Sequence, residues 1–92
     1  MYRPSNKELK LALLEARQYL KEGRYGGYIC NCLPNNVAGE YLRDFISDAI
    51  GDNDTLCGWV WKNVIGEDKP WPAAADMKAY RLRWVDYMLG GL

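Results

Sequence analysis

The residues of this chain whose chemistry reaches beyond packing are three cysteines (Cys30, Cys32, Cys57), seven tyrosines, four tryptophans and the arginines; histidine is absent. Without an imidazole, neither a Ser-His-Asp nor a Cys-His nucleophile can be assembled. A zinc site would need all the thiolates plus a carboxylate, so no metal is expected and the thiols are read as buried and structural. Their odd number gives no disulfide framework. No phosphate loop or dinucleotide fingerprint is present, and Gly26-Gly27 beside basic residues is a weak phosphate signal. Asp52-Asn53-Asp54-Thr55 opens like a calcium loop but lacks the later ligand positions and the closing Glu. Carboxylate pairs lie along one helix face rather than across a cleft, which argues against a hydrolase. No catalytic residue and no cofactor is expected.

What remains is a constellation of rings and guanidinium groups. Tyr25, Tyr28, Trp59, Trp61, Trp71, Tyr80 and Trp84 can stack on a planar ring, while Arg24, Arg81 or Arg83 meets a phosphate. The same residues would also make an ordinary core with arginines stretched along it. The expected ligand-binding set is Arg81, Trp84, Tyr80, Trp59, Trp71, Tyr28 and Arg24. Arg81 falls on the aromatic side of its helix, one turn from Trp84. A guanidinium there is costly to desolvate unless it stacks, pairs with a carboxylate or meets an anion. Asp44 or Asp48 could supply a carboxylate.

The elements that must position these groups are helical. Ser5 as N-cap with Glu8 three residues on is a capping box, and Gly23 stops the helix it opens. Its core face is Leu9, Ala12, Leu13, Ala16, Tyr19 and Leu20. Lys7, Lys10, Arg17, Lys21 and Arg24 line a second face, and Glu8, Glu15 and Glu22 a third. Leu11 and Leu14 belong to neither the core nor the glutamate line. A glycine-rich connector leads to Tyr28–Leu33, read as a helical turn because no second strand exists to pair with it. Asn35-Asn36 caps the next helix, which Gly51 closes. Its core stripe is Ala38, Leu42, Phe45, Ile46 and Ala49, with Glu40, Asp44 and Asp48 on the opposite side. Asp54 or Thr55 caps a third helix ending at Gly66, with Leu56, Val60 and Val64 inward. Glu67–Pro72 is a stiff linker, and the last helix runs over Ala73–Leu89. That helix has two apolar faces: Met77, Tyr80, Trp84, Tyr87 and Met88 on one, Leu82, Val85 and Leu89 on the other. Two faces mean a helix sandwiched between other helices or between subunits.

Ninety-two residues make one domain. The fold class expected is all-α, a compact irregular bundle of four main helices with a short helical turn. Lys plus Arg and Asp plus Glu balance at 12 each, so direct binding to nucleic acid or to an anionic membrane is not expected. No apolar run approaches a membrane span and no signal peptide opens the chain, so a cytoplasmic location is expected. A homo-oligomer is expected through Leu82, Val85, Leu89, Leu11 and Leu14. Glu40, Asp44 and Asp48 offer an acidic surface to a basic partner.

Tyr28-Ile29-Cys30 with Leu33, Thr55-Leu56 followed by Trp59, and Tyr80-Arg81-Leu82-Arg83-Trp84-Val85-Asp86 cover about a quarter of the chain. In these segments it resembles the small helical accessory proteins encoded by tailed bacteriophages. The resemblance assigns no site residue. It implies a context: compact phage proteins without enzymatic signatures often bind and block something of the host, including immune signals or defence proteins. The expectation is a non-catalytic counter-defence protein in the host cytoplasm that sequesters a small nucleotide-type signal. The alternatives are a protein-interface inhibitor of a host defence enzyme, acting through the acidic or aromatic surface, and a structural or packaging component of the virion.

Overall fold

The computed structural model describes residues 3–51, 56–68 and 77–92. The chain is all-α. Helix α1 spans Asn6–Glu22, a tight turn occupies Arg24–Gly27, and α2 is a single turn over Ile29–Cys32. Helix α3 covers Val37–Phe45, α4 covers Leu56–Val60 and α5 covers Met77–Gly90. The expected caps at Asp54 or Thr55, the Asp52–Thr55 loop, Trp71 and the first turn from Ala73 lie outside the described residues.

Local sequence explains α1 from end to end. The Ser5 hydroxyl accepts the Glu8 amide at 3.2 Å and donates to the Glu8 carboxylate at 3.2 Å, so Ser5 caps the helix and Glu8 closes on its hydroxyl. Gly23 adopts the left-handed conformation at φ 73°, and its amide returns to the Leu20 carbonyl. Leu9, Ala12, Leu13, Ala16 and Leu20 are buried as the periodicity requires. Lys78 Nζ donates to the Lys21 carbonyl at 2.9 Å, placing a cation at the negative end of the helix.

Helix α2 is short because Pro34 follows it, yet it is held firmly from α3. Arg43 Nε donates to the Cys30 carbonyl at 2.9 Å and its Nη2 to the Leu33 carbonyl at 2.6 Å. One guanidinium thus satisfies carbonyls that a helix terminus leaves without partners. The Asn36 side chain accepts the Gly39 amide at 2.8 Å to start α3.

Helices α3 and α4 both end in wider π-type turns, Ile46–Ile50 and Trp61–Ile65. Gly51 (φ 113°) returns its amide to Ile46 and Gly66 (φ 111°) to Trp61, each closing an i to i−5 bond. The wider winding corrects the expected core stripe: Ala49 is exposed, whereas Ile50 is half-buried against the core. Asn63, a residue needing a partner if buried, is exposed and donates to the Trp59 carbonyl at 2.9 Å.

Helix α5 packs against both α1 and α4. Its two apolar faces are therefore used within one chain. Val85 is fully buried, and Leu82 and Leu89 pack on the same core. For Val85 the expectation of contact with a second subunit is corrected, because helices of the same chain bury it completely; Leu82 and Leu89 are half-buried against the same core. Arg17 reaches Asp86 at 3.0 Å across the α1–α5 seam.

Candidate functional site

Arg81 is buried, with 9 % of its surface exposed. Helix α5 delivers it beneath the Arg24–Gly27 turn. That turn bends tightly: Tyr25, Gly26 and Gly27 all have positive φ, at 56°, 67° and 77°. Glycine adopts this region without strain, and Tyr25 is the one described non-glycine that does so. The bend brings the Gly27 backbone down onto Arg81, so that a Cβ on Gly27 would lie 3.1 Å from Nη1. Tyr28 leaves the turn with its ring under the cation, 5.4 Å from Arg81 Cζ to the ring centroid.

Among the described residues no carboxylate pairs with Arg81 and its Nε has no hydrogen-bond partner. Asp44 and Asp48 are exposed on the outer side of α3 and its extension, so the carboxylate pair considered from sequence is not formed with them. Three residues on, the indole N–H of Trp84 is likewise buried without a described partner. Two unpaired donors on successive turns of one helix make a local excess of hydrogen-bond donation and positive charge. Such groups are rare in a folded interior and call for an acceptor.

The thiols of Cys32 and Cys57 flank this cation. Burial pushes both thiols up, and the Arg81 charge partly offsets it. Cys32 also points at the Arg24 carbonyl, 3.8 Å away. Above the ordinary thiol range the unfolded chain ionises first and then binds fewer protons than the folded one. Stability present below the ordinary thiol range, about pH 8.5, is therefore expected to fall as pH rises through and above it, read as a declining melting temperature. Cys32→Ala with Cys57→Ala should flatten that decline, since both changes leave the tyrosines in place.

The remaining expected ligand residues are distributed differently. Trp84 is 0 % exposed and stacks obliquely on Phe45 at 6.5 Å, so it cannot lie flat on a ligand ring. Trp59 meets Phe45 and Tyr87 edge-on at 6.2 and 5.8 Å. Trp84 belongs to the core and Trp59 packs half-buried against it, since large rings bury much area in a small domain. Tyr80 is half-buried on the same core. Arg24 stands apart, 2.7 Å from Glu22 and over the Tyr19 ring, whose phenol is pushed up chiefly by the Glu15 carboxylate. Trp71 lies outside the described residues. Of the expected set, the structure brings Arg81 and Tyr28 together.

Sequence reasoning did not place Gly27, Cys32 or Cys57 at this point. The signal available was the Gly26-Gly27 pair ahead of a ring, which requires a turn without fixing what lies beneath it. A larger groove, about 600 Å³, runs between Leu9 and Leu13 of α1, Tyr41 and Phe45 of α3, and Tyr87 and Met88 of α5. It offers shape, but its one charged lining residue is Arg3. Glu40, Asp44 and Asp48 are exposed, as are Leu11 and Leu14. No group of residues among those described could hold a metal ion, and no described helix is long and apolar enough to cross a membrane. No protein-family model, curated protein or solved structure matches this chain.

Proposed function

We propose that this chain is a non-catalytic binding protein of bacteriophage type, active in the host cytoplasm, that sequesters a small nucleotide-type host signal. The observation that carries the reading is Arg81: a guanidinium nine-tenths buried, with an unpartnered Nε and no described carboxylate partner, set over the Tyr28 ring. A buried cation left without a counter-charge is costly and is retained most readily where an anion completes it. Tyr28 keeps 45 % of its surface exposed. In this reading the exposed part of the Tyr28 ring stacks on a base while the guanidinium meets a phosphate. The phage context rests on the sequence resemblance.

A ligand that binds only the folded state raises its stability, by about 2.7 kcal/mol at a hundredfold excess over Kd. For a domain of this size that is roughly a 10 °C rise in melting temperature or more. A panel of mono-, di- and cyclic dinucleotides should contain at least one that produces such a rise. Arg81→Lys should lose the response, because lysine keeps the charge without the planar fork. If no nucleotide shifts the transition, the reading fails. The second reading, a protein-interface inhibitor, is favoured by the exposed acidic row Glu40, Asp44 and Asp48 beside a hollow of about 210 Å³ at Tyr41 and Phe45. A single stoichiometric host protein, lost on Asp44→Lys with Asp48→Lys, would favour it instead.

A further inference from the structure

Helix α1 carries a second pattern on its outer side that the fold leaves uncovered. Leu11 is 60 % exposed and Leu14 43 %, on the side opposite Leu9, Leu13, Ala16 and Leu20. Place Leu11 at an a position and Leu14 at a d position of a heptad. Within Asn6–Glu22 the e positions are then Glu8, Glu15 and Glu22, and the g positions are Lys10 and Arg17. Every e residue is acidic and every g residue is basic. The two charge lines flank the leucines, with Lys7, Gln18 and Lys21 continuing the midline above and below them.

This arrangement discriminates between orientations. When two helices pack in parallel along an a/d seam, the g residues of one face the e residues of the other; when they pack antiparallel, g meets g and e meets e. Here parallel pairing sets Lys10 against the second copy's Glu15 and Arg17 against the second copy's Glu22, with the reciprocal pairs by symmetry; it also brings Lys7 and Lys21 opposite their own counterparts at the two ends of the seam, where the long stems carry the ammonium groups out to water. Antiparallel pairing sets lysine and arginine against each other, and glutamate against glutamate.

We propose that the outer face of α1 docks on the same face of a second copy of this chain, in parallel about a two-fold axis, with Leu11 and Leu14 at its centre. The surface beside it is shaped to receive the contact: a groove of about 480 Å³ lies between Leu11, Glu8 and Glu15 of α1 and the exposed Val37 of α3. The second copy's Lys10 runs along that acidic rim. Arg17 and Arg24 already hold Asp86 and Glu22 within the chain, at partly exposed positions. Surface pairs of this kind exchange readily, so Lys10 and Glu15 set the orientation. With two leucines per chain in the seam, the dimer is weak and concentration-dependent. This surface is independent of the Arg81 site.

Sedimentation equilibrium over the micromolar range should show a monomer–dimer equilibrium. Leu11→Asp with Leu14→Asp should weaken it at least about tenfold, because the seam would then hold charge at its apolar centre. Circular dichroism of that variant should be unchanged, since both side chains face outward. Lys7→Cys, on the midline, should form an intermolecular disulfide under mild oxidation that the unaltered protein does not form. A protein that stays monomeric at high micromolar concentration overturns the proposal. So does a dimer indifferent to the aspartate variant, or one whose Lys7→Cys form fails to cross-link, which marks antiparallel packing.

Discussion

Gly39→Ala is expected to destabilise the protein by about 3 kcal/mol or more, although it adds a single methyl group. Gly39 is buried in the first turns of α3, where the chain from α2 crosses it. A Cβ there would land on the carbonyl oxygen and carbon of Pro34. These are backbone atoms, so no side-chain rotation can make room. Relief would require moving Pro34, and Pro34 lies between the Leu33 carbonyl and the Asn35 side chain, both held by Arg43. The helix would have to slide away from α2 and give up those bonds. Set against the roughly 5–15 kcal/mol by which a domain is stable, the loss is a large fraction. It should appear as a melting temperature lower by about 15 °C in a chain of this size. Exposed Gly90, where a Cβ meets nothing within 4 Å, is the control. Gly90→Ala should leave the transition near its original place or raise it slightly, since alanine is the better helix former.

Arg81→Met should move stability the other way while removing ligand response. Methionine fills much of the same volume and carries no charge. Replacing buried charge by a packed apolar side chain is often neutral or stabilising by about 1–4 kcal/mol. Arg81 has its Nε unpartnered and holds a ring rather than a described carboxylate, so little hydrogen bonding is lost on replacement. The expected result is a ligand-free melting temperature unchanged or higher by a few degrees, together with at least about a hundredfold loss of affinity for the best nucleotide found. Sites that sacrifice stability for binding behave this way. A fall of several degrees in the ligand-free protein would show that the guanidinium holds the Gly27–Tyr28 turn onto α5. The proposed anchoring role would then be withdrawn.

Helix α1 is the part of this protein that its sequence determined unaided. The Ser5 cap, the glycine stop and the apolar face are all set within the helix itself, and the fold keeps each of them. The same holds for the Asn36 cap, whereas Tyr28–Leu33 taken by itself fits either a strand or a helical turn, and Arg43 holds the turn that forms. The all-α class follows, because every long apolar pattern in the chain has helical period. Local sequence failed first at the ends of α3 and α4. Gly51 and Gly66 signal a stop, but a glycine at positive φ can close either an ordinary turn or a wider one, and the wider one moves Ala49 out and Ile50 in.

Tertiary structure alone decided what the rings and the cation meet. The sequence named Arg81 and Tyr28 as chemistry-bearing residues. Their meeting joins the early turn to the last helix, a contact that local periodicity cannot encode. Trp59 and Trp84 have the same composition signal as a ligand platform, yet both pack against Phe45, Trp84 wholly within the core and Trp59 half-buried at its edge. Val85 shows the same principle on the other face of α5. A helix announces how many apolar faces it has, but whether its own chain or another covers them depends on where the other helices come to rest. For α5 they come to rest on both sides. On α1 the outward leucines stay bare, and that difference in coverage is a property of the assembled fold.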